Sequence, residues 1–481
     1  MGEDEVKHVP LISTGEGLDP WYLQVNEISA RTRGIWTSAR YLQNSFVPVN
    51  RLPPEILGLI PSSLPSKRDL INATAVCRHW RDTLLSSPDL WCDIDCSGSR
   101  GPLRDHMFRE CLGRSGTVPL NIRLTSVRYL PDITPHLARF SALEIMVVAP
   151  EQLQKIASRF SQPAPILQKL NISGVAPWTQ IGLSIPPGLF GGDFASLRTL
   201  RLVGFSFLKL PPHFPQLTRF DLKTHAHSAL RTDAMLEALE RMPLLQVLHV
   251  KFCPDHPPSS STSAPRLPTP PKLKEVELSS FNDHAGPPPF IPPLLSALVL
   301  PIVEQVMIGV LPPTGSATLP SSFEEQLPNL AETATVDLFV DPEVFTLLFH
   351  GLRGSRLLFT SHYSDRRQFR REGFCGTPFL SVKKMAVTFN MVYDVELEVF
   401  FFELLRAMER LESLEIRGWC TRLLGLWSEK SPLDQRSICP SLRSLVVTRK
   451  SNDSISGLLK KLAMARKRHG VPFAEAIEVL L

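Results

Sequence analysis

Apolar residues recur along this chain in two rhythms. Between residues 52 and 91 they come at three- and four-residue spacing. LPPEIL at 52–57 opens a short helix at prolines whose missing N–H groups cost nothing in a first turn. Ile56, Leu59 and Ile60 share one face of it, and Pro61 is expected to end it. Ser66, with Asp69 three residues on, reads as a capping box for a second helical stretch. There Leu70, Ala73, Cys77, Trp80 and Leu84 fall on one stripe, and Arg78, His79, Arg81 and Asp82 cover the other side. Pro88 breaks the chain and Leu90-Trp91 supplies a last apolar anchor.

From Val118 to Leu124 the period changes to two, as in a strand. The pattern Pro-x-apolar-x-x-apolar-x-apolar then appears at Pro165/Leu167/Leu170/Ile172, Pro215/Leu217/Phe220/Leu222, Pro243/Leu245/Leu248/Val250, Pro271/Leu273/Val276/Leu278, Pro293/Leu295/Leu298/Leu300 and Pro440/Leu442/Leu445/Val447. Leu197/Leu200/Leu202, Val382/Met385/Val387 and Leu411/Leu414/Ile416 fit without the proline. Steps of roughly 20–30 residues between them suit leucine-rich repeats. Intervening segments such as 232–242 and 396–411 read as helices. The expectation is a solenoid, in which each unit contributes a strand with inward leucines and none can bury its apolar face alone. A less regular α/β domain is the alternative. The interval from 298 to 385 has room for two further units, near Leu330–Val340 and Leu357–Phe359.

The flanks complete the division. Residues 1–18 are expected to be flexible. Residues 19–46, with Trp21, Leu23, Ile28, Ile35, Trp36, Tyr41, Leu42 and Phe46, form a helical lead-in. Gly34 and the short length speak against a long coiled coil, so a helix packed on the following module is expected. The compact helical module spans 47–95. After it, WCDIDCSG forms a strand ending at Gly98, and a helix covers 105–114. The repeat region is 96–457, interrupted by Pro-rich loops near 256–271, 286–293 and 312–322. Residues 458–481 cap it with a basic helix whose Leu458, Leu459, Leu462 and Met464 point inward.

Composition narrows the function. Hydrophobic content of 43% with 21% charge is that of a folded chain, and a net charge of +5 over 481 residues gives no reason to expect nucleic acid or a membrane as partner. The eight cysteines include no C-x-x-C pair, so reduced, buried thiols are expected and no metal. The acidic start MGEDEV is not a secretory signal, which points to an intracellular protein, cytoplasmic or nuclear. No phosphate-binding loop, G-x-S-x-G elbow or H-E-x-x-H occurs. His225, His227, His249 and His256 read as solvent-exposed. No catalytic residue and no cofactor are expected.

Three ordered submotifs carry a resemblance: L-P-P-E-I-L at 52–57, the V-C-R-x-W-R core at 76–81 and S-x-P-x-L-W at 86–91. Together they resemble an F-box, most closely the F-box-like proteins of mushroom-forming fungi. The resemblance implies docking on a Skp-type adaptor, and through it on a cullin–RING ubiquitin ligase, with the rest of the chain selecting a protein target. The adaptor-facing residues it implies are Leu52, Pro53, Ile56, Leu59, Val76, Cys77, Trp80 and Trp91. In a repeat horseshoe the residues between core leucines face outward, which makes Thr199, Arg201, Arg219, Asp221, His249, Glu275, Glu277 and Glu415 candidates for target binding. The expected fold class is α+β multidomain: a small all-α F-box followed by an α/β leucine-rich-repeat-like solenoid. A scaffold acting outside any ligase and an enzyme without a familiar motif are the competing readings.

Overall fold

The computed structural model describes residues 20–63, 67–96, 102–147, 149–174, 183–205, 213–224, 232–252, 272–280, 294, 298, 303–309, 335–340, 344–351, 355–362, 381–390, 395–418, 420–429, 438–449 and 455–480. The Pro-rich loops, residues 1–18 and Ser66 of the expected capping box lie outside them. The chain divides into two units, 1–93 with 103–118, and 94–102 with 119–481.

The first unit is helical. It holds α1 (Pro20–Ser45), α2 (Pro54–Ser62), α3 (Lys67–Thr74), α4 (Arg78–Leu85) and, after the short strand β1 (Asp93–Asp95), α5 (Pro102–Arg114). Pro61 does not stop α2 ahead of itself. It sits in the last turn, which closes one residue later with Ser63 N–H donating to the Ile60 carbonyl at 3.2 Å. The apolar stripe from Leu70 to Leu84 is not one helix. Tight turns at Ala75 and Val76, each N–H bonding three residues back, close α3, and Cys77 is extended at the start of α4. Leu57, Leu70, Ala73, Leu84, Leu90 and Trp91 make the core. Helix α5 adds Phe108, Cys111 and Leu112 to the buried set, so this unit extends past residue 95, the expected boundary of the module.

The second unit is built on a sixteen-stranded sheet. Its strands are β1, β2 (Leu120–Leu124), β3 (Phe140–Val147), β4 (Lys169–Gly174), β5 (Thr199–Phe205), β6 (Arg219–Thr224), β7 (Val247–Phe252), β8 (Glu275–Ser280), β9 (Gln305–Gly309), β10 (Thr335–Val340), β11 (Val344–His350), β12 (Arg356–His362), β13 (Lys384–Phe389), β14 (Ser413–Gly418), β15 (Ser444–Arg449) and β16 (Glu475–Leu480). From β2 to β9, and again from β13 to β16, each strand pairs in parallel with the next in sequence. Parallel neighbours need a crossover, and α6 (Leu130–Ile133), α7 (Pro150–Arg159), α8 (Thr232–Glu240), α9 (Val395–Ala407), α10 (Thr421–Glu429) and α11 (Ser456–Arg468) lie in such connections.

The register explains the repeated apolar triplet. Leu170, Leu200, Phe220, Leu248, Val276 and Val306 are aligned across six strands, and Ile172, Leu202, Leu222, Val250, Leu278 and Ile308 form the next inward row. All twelve are buried. In six of the triplets the first member sits in a turn whose N–H bonds back three residues: Leu167 to Ala164, Leu197 to Phe194, Leu217 to Phe214, Leu245 to Met242, Leu411 to Met408 and Leu442 to Cys439. The two following N–H groups converge on one carbonyl of the preceding unit, as Arg198 and Thr199 do on Gln168 and Gln246 and Val247 do on Thr218. Behind the strands run two aromatic files. Phe140, Phe160, Phe190, Phe194 and Phe214 follow one another at centroid distances of 5.7, 6.1, 6.0 and 5.4 Å. Phe389, Phe401, Phe402, Trp427 and Phe473 do so at 6.0, 6.1, 6.2 and 6.5 Å.

Three expectations are corrected. The triplet Leu295/Leu298/Leu300 is not the strand of its unit. Leu298 closes a helical turn on Leu294 at 3.1 Å, and the strand comes later, where Val303/Val306/Ile308 repeats the same spacing two residues after Pro301. Between β9 and β13 the described residues hold three strands where two were expected, and they run backward: β10 lies beside β13, β11 is antiparallel between β10 and β12, and β12 returns to pair with β9. At the C-terminus, Leu459 and Leu462 of α11 are buried but Met464 is exposed, and Arg466 goes inward in its place. Nor does that helix close the sheet, because β16 follows and takes the edge beside β15.

Candidate functional site

Two surfaces present the candidate residues. On the helical unit, the first turn of α2 follows a 3-10 segment, Pro48–Arg51, and displays Pro53 and Ile56 to solvent with Leu59 one turn on. Val76 stands in the tight α3–α4 connection and is 62% exposed. Ile60 and Ile71 are exposed as well. Apolar side chains displayed this densely on so small a unit mark an interaction surface.

The remaining adaptor-facing candidates differ. Leu52, Cys77 and Trp80 are half-buried. Trp80 Nε1 donates to Asn50 Oδ1 at 2.7 Å, and Asn50 Nδ2 donates to the Asn44 carbonyl at 2.7 Å. Asn50 therefore ties the end of α1 to the start of α4, a role that nothing in the apolar pattern signals. Arg40, Asn50, Cys77, Arg78 and Arg81 line a groove there, so this edge of the surface is polar and cationic. Trp91 belongs to the interior. It is 2% exposed, its Nε1 donates to the Leu84 carbonyl at 2.9 Å, and the Arg114 guanidinium lies over its ring at 5.6 Å. A tryptophan anchored on both sides packs the module and offers no face to a partner.

The second surface is the outward face of the sheet. The central outward row reads Arg123, Glu144, Asn171, Arg201, Asp221, His249, Glu277 and Met307 on β2 to β9. Thr199, Arg219 and Glu275 lie in the row beside it. Strand alternation puts all of them opposite the leucines. Glu415 is on the same face of β14, where Arg417 Nε and Nη2 hold its carboxylate at 2.7 and 2.8 Å.

The structure brings five of these residues into one cluster. His249 Nδ1 is 2.8 Å from Asp221 Oδ1, and Nε2 is 2.9 Å from Glu275 Oε1. Glu277 Oε2 approaches Nδ1 at 3.7 Å. Arg219 Nε and Nη2 donate to the Asp221 carboxylate at 2.8 and 3.1 Å, and Lys251 Nζ bonds Glu277 at 2.8 Å. His249 was expected to be solvent-exposed; its side chain is only 15% exposed, because strands on both sides place carboxylates against it. His225, His227 and His256 lie outside the described residues. The hydrogen bond to Asp221 raises the His249 pKa above its usual value, against the opposing effect of burial, and Glu275 adds to it. Burial pushes the Asp221 carboxyl up, but its bonds from His249 and Arg219 outweigh that and hold it below the usual range. An imidazolium donating through both nitrogens fits this geometry, and it makes the 3.1 Å approach of Arg219 Nη2 to Nδ1 a packing contact rather than a bond. Arg201, on the next strand, is exposed and has no ion pair among the described residues.

Among the described residues no group of histidine, cysteine and carboxylate side chains has the arrangement of a metal site, and no helix is long and apolar enough to cross a membrane. The outward face carries a fixed pattern of paired charges. The apolar surface on the helical unit has a counterpart among known proteins: residues 49–97 match the F-box-like family model, and the chain thus carries an F-box-like domain.

Proposed function

We propose that this protein is a substrate-receptor subunit of an SCF-type cullin–RING ubiquitin ligase. The F-box-like domain docks on a Skp-type adaptor through Pro53, Ile56, Leu59 and Val76, with Leu52, Cys77 and Trp80 at the rim. The sheet-bearing unit is a leucine-rich-repeat-like solenoid whose outward face, from Thr199 to Glu277 and again at Glu415, binds the protein target. The chain performs no bond chemistry. It raises the effective concentration of the target beside a ubiquitin-charged enzyme.

The observation that carries this reading is the coincidence of the F-box-like match with exposed apolar residues at the positions that family uses for docking. Covering such side chains releases ~25 cal/mol per Å². The test is retention of the full-length protein by purified adaptor at micromolar concentration. Wild type is expected to bind, and Ile56→Asp with Leu59→Asp is expected to abolish binding without lowering the melting temperature, since both side chains are exposed. A well-folded wild type that retains no adaptor overturns the proposal. Affinity purification under proteasome inhibition then separates a ligase subunit, which brings cullin and RING components, from a scaffold, which brings the adaptor alone.

A further inference from the structure

Helix α1 carries a pattern that the docking surface does not use. Trp21, Val25, Ile28, Thr32, Ile35, Ala39, Leu42 and Phe46, the last one residue past the helix end, alternate at spacings of four and three. This is the seam of a coiled coil, with Trp21, Ile28, Ile35 and Leu42 at d and Val25, Thr32, Ala39 and Phe46 at a. The expectation of a helix packed on the module through this face is not met: Ile28, Ile35, Leu42 and Phe46 are all about two-thirds exposed, and Trp36 flanks them equally open. Isolated helices of such composition are marginal in water, so a face of this kind requires an occupant.

We propose that the occupant is a second copy of this chain, and that α1 forms a parallel two-stranded coiled coil. The flanking positions decide for a like partner. At e and g the chain has Tyr22, Gln24, Ser29, Arg31, Trp36, Ser38, Gln43 and Ser45, with a single charge and no acid. In a parallel pair each g residue meets the e residue five positions on in the other copy. That sets Gln24 beside Ser29, Ser38 beside Gln43 and Arg31, whose Nη2 also bonds Glu27 Oε1 of its own helix at 2.8 Å, against the face of Trp36, a contact made twice by symmetry. No like charges oppose each other, and the flanks offer no complement to a strongly charged foreign helix. The one polar seam residue is already satisfied, because Thr32 Oγ1 donates to the Ile28 carbonyl at 2.8 Å and leaves its methyl for the interface. Ala39, with Gly34 and Ser38 beside it, leaves a shallow groove that a facing side chain can fill. Covering Trp21, Trp36 and Phe46 with the aliphatic seam on both copies buries on the order of 1,000 Å² or more, the scale of a specific interface.

The experiment is sedimentation equilibrium of the full-length protein at about 1–50 μM, beside Ile28→Asp/Ile35→Asp, with adaptor retention and a melting curve for each. The expected result is twice the chain mass for wild type and a monomer for the variant, with unchanged melting and adaptor binding. Ala39→Cys is expected to cross-link two chains on oxidation, as symmetric a positions in a parallel pair require. A wild type that stays monomeric across the range overturns the proposal. So does a dimer that survives the double substitution, which places the interface elsewhere. Loss of adaptor binding in the variant with no dimer in wild type assigns the seam to the adaptor instead.

Discussion

His249, part-buried on the sheet, and Arg466, fully buried, show how differently two basic side chains are held. The His249 imidazolium has carboxylates on both sides, so its folded pKa stands above the unfolded value near 6.5. A raised histidine contributes stability that is complete below the unfolded pKa and is lost as pH rises through the folded one. Asp221 works in the opposite sense, its contribution disappearing only in acid as pH falls through its depressed pKa. Wild type is therefore expected to melt higher at pH 6 than at pH 8.5, and His249→Ala to remove most of that difference. At pH 6 the substitution should cost about 1–3 kcal/mol, as for lost hydrogen bonds to charged groups, rather than the ~0.5 kcal/mol of an ordinary surface site. Melting curves of the two proteins across pH check it. Among the described residues Arg466 has no carboxylate partner. Its guanidinium donates to the carbonyls of Val471, Ile438 and Cys439 at 3.1, 2.9 and 3.0 Å and lies over Phe473 at 4.8 Å. Burial lowers its pKa and pushes the neighbouring Cys439 thiol up to about 12, so that thiol stays protonated and inert. Arg466→Ala strands three carbonyls and opens a cavity. A loss of about 3–5 kcal/mol is expected by denaturant titration.

At the scale of elements, strands and helices answer to different parts of the pattern. Leu248 and Leu445 are fully buried in β7 and β15, each at the first inward position of its strand. Either change to Ala is expected to cost ~2–5 kcal/mol. Val446, between the two inward residues of β15, faces outward, and its change to Ala should cost far less. Equal losses at 445 and 446 in a chemical denaturation series would refute the inward and outward assignment. In the helical unit the same contrast holds between Trp91 and Val76. Trp91→Ala removes a buried ring and the cap on Leu84, whereas Val76→Ala trims a side chain that is largely exposed. The apolar stripe of residues 70–84 did not distinguish these cases, because a period of three and four persists across a break when two short helices happen to continue each other's phase.

At the scale of the whole molecule, the division of the chain matters more than its length. Helix α5 comes after β1 in sequence yet belongs with the helical unit, contributing Phe108, Cys111, Leu112 and the Arg114 that covers Trp91. A fragment of residues 20–118 is therefore expected to melt cooperatively. One of residues 20–95 leaves part of that core uncovered and should bind a hydrophobic dye and show no sharp transition. Circular dichroism and dye fluorescence on the two fragments decide it.

The chain's own pattern determined the inward rows of the sheet, the strand at most of the apolar triplets and the helical character of the N-terminal module, because local period and burial go together. It left the order of β10 to β12 open, since an antiparallel excursion has the same alternation as two parallel units. It also left open which of Ile56, Val76, Trp80 and Trp91 face solvent, and it could not join Asp221, His249 and Glu275. Those three come from separate strands about 26–28 residues apart in sequence, and only hydrogen-bonded register brings them within 3 Å. In α1 a helix packed on the module was expected, and the four-and-three seam was not separated from the other apolar residues. Whether it packs against its own chain or stands free is set by the tertiary structure, because a heptad states which face is apolar and nothing about what covers it.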